Sequence, residues 1–158
     1  MEKIVGILRG VKEATDMVYD LFFGERRAVA AIVLHFSDLT DIYDKGNSRT
    51  LLFGSMPVRG QIMRRSIRLV AERREAFKDK TLSDILTLHK ANKEIDYGKV
   101  VSVIVKKGIL SQSLEFVIKN DLTRKLSFLI EKNQMIEARN LVGSLFQSKV
   151  KMQVSERP

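Results

Sequence analysis

The stretch VVSVIVKKGILSQSLEFVIKNDLTRKLSFLIEKNQMIEARNLVGSLFQ, residues 100–147, decides the fold class. It holds three short alternating segments, 100–107, 113–119 and 124–130, followed by one amphipathic segment, 133–147. Alternation at period two places Val101, Val103 and Val105 on one face of the first segment. Leu114, Phe116 and Ile118 share a face of the second, and Leu126, Phe128 and Ile130 a face of the third. The links GILSQ (108–112) and NDLT (120–123) are short enough to require antiparallel neighbours. In 133–147 the pattern turns helical, with Met135, Ala138, Leu141, Val142 and Leu145 inward and Asn133 as the expected N-cap. These features predict an α+β fold: an antiparallel small barrel or curved sheet with a C-terminal capping helix.

Working toward the N-terminus, residues 3–9 (KIVGILR) read as a strand. Residues 17–23 (MVYDLFF) alternate, with Met17, Tyr19, Leu21 and Phe23 on one side. Gly24-Glu25 suits a two-residue type II′ turn. The near-continuous apolar run at 26–36 (RRAVAAIVLHF) then predicts a strand buried on both faces. Residues 37–56 are rich in Asp, Ser, Asn and Gly and read as a connection with a helical turn at 38–44. Pro57 suits the first turn of a helix. On that helix Val58, Ile62, Met63, Leu69, Val70, Ala76 and Phe77 form an apolar arc opposite Arg64, Arg65, Arg68, Glu72, Glu75 and Lys78. Thr81 is the expected N-cap of a second helix running through Asn92, with Asp84 in its first turn. The expected organisation is one domain, 1–147, with a helical insertion at about 57–92 and a flexible polar tail, 148–158.

The chain has 158 residues, 28 Lys and Arg against 19 Asp and Glu, a net charge of +9, and no cysteine. Absence of cysteine excludes disulfides and thiolate chemistry. The first residues lack a signal-peptide core, and the longest apolar run, 28–34, is too short to span a bilayer, so the expected location is the cytoplasm, peripheral at a membrane at most. Positive charge of this size favours anionic partners.

Residues 93–147 resemble the second half of pleckstrin-homology-like domains, including the short bacterial and archaeal members and GRAM domains. There an isoleucine and an aromatic, here Ile95 and Tyr97, precede a turn, three strands and a helix that caps the barrel. FGERRAVAAIV, 23–33, is similar to their early hairpin. The resemblance implies a noncatalytic docking module for a protein partner or an anionic membrane surface. The helices at 57–92 depart from the family pattern. So does the second strand, 17–23, which has no basic residue, so inositol-phosphate recognition is not carried over.

No catalytic motif stands out, and the expectation is a chain that is not an enzyme, with no cofactor and no metal. Residues 54–60 lack the GK[ST] ending of a phosphate loop, and no GxSxG elbow occurs. His35 and His89 lack a metal-spaced partner and read as packed or hydrogen-bonded side chains. Asp38, Asp41 and Asp44 could meet on one helical turn, but they read as turn aspartates rather than cation ligands. Arg64, Arg65, Arg68, Arg73 and Arg74, extended by Lys106 and Lys107, are the anion-binding candidates, because the planar guanidinium fork suits phosphate and carboxylate. An alternative function is nucleic-acid binding through the Arg-rich helix, 59–80, which would be chiefly electrostatic and salt-dependent. An exposed edge strand would predict a homo-oligomer by strand pairing.

Overall fold

The computed structural model describes residues 2–13, 17–40, 56–120 and 122–154. Eight strands form one mixed sheet: β1 (Gly6–Glu13), β2 (Met17–Phe23), β3 (Arg27–His35), β4 (Lys93–Asp96), β5 (Val100–Lys107), β6 (Gln112–Lys119), β7 (Thr123–Ile130) and β8 (Val150–Val154). Helices α1 (Met56–Ala76) and α2 (Leu82–Thr87) lie between β3 and β4 in the chain, and α3 (Met135–Phe146) follows β7. The strand order is β4-β3-β2-β1-β7-β6-β5-β8. All pairs are antiparallel except β5 with β8.

Chain connectivity forces this sheet to curl. Strands β4 and β5 sit six places apart, which in a flat sheet is roughly 29 Å. Only residues 97–99 join them, and four Cα steps reach about 14 Å at most. The joining turn is pinned to both halves of the sheet: the Tyr97 amide donates to the Arg26 carbonyl, and the Lys119 amide to the Lys99 carbonyl. Across the concave side, Lys93 of β4 reaches Glu13 of β1 at 2.6 Å, although two strands separate them, and its Nζ lies 5.3 Å from the Tyr19 ring centroid. The halves meet at β1–β7 through two residue pairs, Lys12↔Leu129 and Glu13↔Phe128. The sheet is curved and not closed.

Two apolar layers follow from the pattern of the strands. The concave layer includes Tyr19, Leu21, Phe23, Ala28, Ala30, Ile32, Phe116 and Phe128, and α3 covers it with Ala138, Val142 and Phe146. Phe146 packs on Tyr97 at 4.4 Å and on Phe116 at 5.9 Å between ring centroids. A Cβ on Gly6 would approach Leu141 to 2.6 Å, so β1 and α3 meet closely there. The convex layer joins Phe22, Val29, Ala31 and Val33 to Phe77, Leu82 and Ile85. This explains the apolar run in β3: one face lines the barrel-like hollow and the other lies under α1 and α2. Asn92 ties the layers together, accepting from the Ile32 amide at 2.8 Å and donating to the Ile85 carbonyl at 2.7 Å.

Several expected details shift. β1 begins at Gly6, not residue 3; a bulge between Leu8 and Val11 keeps both inward, while Ile4 and Ile7 join the convex layer. The β2–β3 turn is Glu25-Arg26, closed by the Gly24 amide on the Arg27 carbonyl, and has no positive φ. Gly24 is needed for space instead, since a Cβ there would meet Leu82 and Glu2 at 2.6 Å. In β5 an irregularity between Val100 and Ser102 turns Val100 inward and leaves Val101 half exposed. Helix α2 ends at Thr87, and Asn92 serves as a tertiary clamp rather than a helix stop. A 3-10 turn, Lys132–Gln134, precedes α3 in place of an Asn133 cap. Residues 150–154, expected in a flexible tail, add β8 to the sheet, with Val150 partly buried against the concave layer.

Candidate functional site

Helix α1 is 21 residues long, about 31 Å at 1.5 Å per residue. Its C-terminal half holds it to the sheet. Phe77, just past its end, meets Phe22 edge-to-face at 5.5 Å, and Val70 packs into the convex layer. Upstream the side chains turn outward: Met63 is 66% exposed and Ile67 59%. Arg64, Arg65 and Arg68 are exposed beside them. Residues four apart stack on one face, so Met63 and Ile67 form a short apolar strip flanked by the Arg64–Arg68 strip. Arg68 pairs with Glu72 at 2.7 Å on the open surface. Met63 and Ala76 therefore depart from the expected buried arc, Ile62, Leu69 and Val70 are half-buried, and Val58 lies among residues whose side chains are not described.

Arg73 and Arg74 face the other way, which corrects their place among the anion-binding candidates. Arg74 forks onto Asp20, Nε to Oδ2 at 2.7 Å and Nη2 to Oδ1 at 2.8 Å. Asp20 is 1% exposed and also accepts the Gly10 amide at 2.8 Å. Gly10 has φ +69°, a left-handed conformation that costs a side-chain-bearing residue energy, and it sits in the β1 bulge that aims its amide at Asp20. Arg73 pairs with Asp38 at 2.9 Å. Burial disfavours the Asp38 carboxylate, but the His35 amide and the Arg73 guanidinium outweigh it and hold its pKa below the ordinary value. The arginines of α1 thus divide into two sets: Arg73 and Arg74 are held by carboxylates of other elements, and Arg64, Arg65 and Arg68 are exposed.

Lys106 also has a partner. Its Nζ lies 2.6 Å from Glu115 of β6, a carboxylate only 8% exposed. Lys107 is exposed at the end of β5. Helix α1 packs on β3, and Lys106 is held by Glu115 instead, so the structure gives no support for a single patch joining these lysines to the helix. Arg64, Arg65 and Arg68 remain as the exposed cluster.

Sequence reasoning missed a cleft of about 270 Å³ at the foot of α1. Arg9, Arg74, Lys78 and Lys80 line it over Phe22 and Phe77; Asp20 holds Arg74, Glu75 pairs with Lys78 at 2.7 Å, and Asp79 adds a third negative charge. A net positive cleft with an aromatic floor suits small anions with an apolar body. Its one readable signal is Asp20 itself, a lone acid on the apolar outward row of β2 between Val18 and Phe22.

The histidines have structural partners. His35 Nδ1 contacts Ser37 and accepts its amide, and His89 Nδ1 accepts the Ala91 amide at 3.0 Å. Asp41 and Asp44 lie outside the described residues, and among the described residues no group of three or more His, Asp or Glu is placed to hold a metal. None of the described helices is long and apolar enough to cross a membrane. No protein-family model, curated protein or solved structure matches the chain.

Proposed function

We propose that this chain is a noncatalytic docking module of pleckstrin-homology-like architecture that binds an acidic protein partner through the exposed half of α1. The observation that carries the reading is the pairing of Met63 and Ile67, more than half exposed, with Arg64, Arg65 and Arg68 on a helix anchored downstream. Two apolar side chains at i and i+4 are the anchors that a helix lays into a groove. Flanking cations select an acidic rim and speed encounter. The architectural part is supported by the curled sheet, by residues 97–99 bridging its two ends, and by α3 packed across its concave side.

A protein groove fits better than a lipid surface. Helices that lie in the membrane interface carry a broad apolar face with aromatic or leucine residues, and here the strip is Met63 and Ile67. Double-stranded nucleic acid is the second reading, carried by the same arginines, and would need only charge.

Affinity capture from the protein's own cell extract separates these readings. A protein retained by the wild type and lost in both Met63→Ser/Ile67→Ser and Arg64→Glu/Arg68→Glu supports groove docking. Binding to phosphatidylserine vesicles or duplex DNA that is salt-sensitive, lost on charge reversal and indifferent to Met63→Ser/Ile67→Ser would replace it with the membrane or nucleic-acid reading.

A further inference from the structure

The two ends of the sheet are protected differently. β4 is four residues long, and its Lys93 and Glu94 are held in ion pairs with Glu13 and Arg27. β8 is five residues long and, among the described residues, no strand pairs with its outer edge. Parallel pairing sets Val150 beside Val103, Lys151 beside Ile104, Met152 beside Val105 and Gln153 beside Lys106. Val103 and Val105 belong to the concave core, so Val150, Met152 and Val154 continue its apolar face outward, with Met152 43% and Val154 62% exposed. Lys151 and Gln153 project from the convex face. Unpaired backbone donors and acceptors in such an edge are a template for another strand.

We infer that the β8 edge pairs antiparallel with β8 of a second copy, about a two-fold axis through Met152, so that two sheets continue as one. Register decides where the axis lies. Residues opposite each other in a symmetric antiparallel pair must project from the same face, so the axis passes through a residue. Centred on Met152, all five residues overlap. Val150 then faces Val154 of the second copy, the two Met152 side chains meet, and Lys151 faces Gln153. Centred on Lys151, the two lysines collide as like charges. Centred on Gln153, only three described residues overlap. The Met152 register therefore gives the longest pairing, covers the exposed apolar side chains and keeps like charges apart. A five-residue edge buries less than a permanent dimer needs, so the association is weak and concentration-dependent. It does not depend on how α1 is used.

Sedimentation velocity over a concentration series tests the register. Wild-type protein is expected to pass from monomer to dimer as concentration rises. Gln153→Lys places a lysine opposite Lys151 twice per dimer and is expected to weaken association about two- to thirtyfold; Gln153→Glu is expected to tighten it over the same range. Gln153→Lys also adds a charge beside Lys106 within one copy. Lys151→Glu/Gln153→Lys keeps that neighbour but restores opposite charges across the dimer, so it is expected to recover association. A monomer at every concentration up to about 1 mM would overturn the proposal, since the weakest specific contacts are detectable in that range. So would a dimer indifferent to these charges, or one that the double variant fails to restore.

Discussion

Asp20 and Arg74 are unequal partners, and the inequality is testable. Asp20 is almost wholly buried, whereas a third of the Arg74 side chain reaches solvent. Removing the arginine leaves a buried carboxylate held by the Gly10 amide. Removing the aspartate leaves a guanidinium that water can reach, plus one unsatisfied amide. Arg74→Ala is therefore expected to cost about 3–5 kcal/mol. Asp20→Ala is expected to cost about 1–3 kcal/mol. Urea unfolding of both variants checks the order; equal losses would show that the pair is not buried as described. Acid stability is a second residue-scale prediction. Asp38 and Glu2 both titrate below their ordinary values: burial opposes their ionisation, but hydrogen bonds from the His35 amide and Arg73, and from the Arg26 and Arg27 amides and the Arg27 side chain, outweigh it. A depressed carboxylate stabilises the fold fully above its unfolded pKa of about 4 and loses that contribution as pH falls through the folded value. The urea midpoint is expected to hold from pH 7 to 5 and to fall below about pH 4. Arg73→Gln, which removes one cause of the Asp38 shift, should flatten part of that fall.

At the scale of elements, α2 shows a local signal acting as read. Thr81 accepts the Asp84 amide at 3.2 Å while Asp84 accepts the Thr81 amide at 3.1 Å, a reciprocal cap on a six-residue helix. So short a helix does not stand alone; Leu82 and Ile85 hold it against β3. Thr81→Ala is expected to cost about 1 kcal/mol, read as a lowered thermal midpoint. Alternation made β6 and β7 legible because each keeps one residue per step against the other, so Leu114, Phe116, Ile118, Leu126, Phe128 and Ile130 all land inward. β5 and β1 were harder because a bulge resets the period partway along. VKMQV alternates as β8 requires, but a five-residue pattern set among polar residues does not by itself mark a strand. Its place comes from the β5 edge, a long-range partner that a local pattern does not contain.

For the whole molecule, the sequence carried the layers but not the facing of the charges. An apolar run in β3 announced a strand covered on both sides, and the intervening helices supply the second cover. Nothing local distinguishes Arg68, on the open surface, from Arg74, forked onto Asp20 54 positions earlier in the chain. Of the seven candidate anion-binding residues, Arg64, Arg65 and Arg68 cluster on the exposed half of α1, where Arg68 pairs with Glu72 on the open surface. Arg73, Arg74 and Lys106 pair with buried or half-buried carboxylates of other elements, and Lys107 is exposed at the end of β5. The cleft at the foot of α1 needed β1, β2 and the end of α1 to be brought together, which no spacing in the chain records.

Docking through the free half of α1 is best tested by installing a photo-crosslinking residue at position 67 in cells, with position 122, where Leu122 is 83% exposed, as a surface control. Docking there predicts a discrete protein adduct from position 67 that is absent from position 122 and disappears when Arg64 and Arg68 are changed to glutamate. Identical adducts from both positions, or an adduct at 67 that survives the charge reversal, would contradict it.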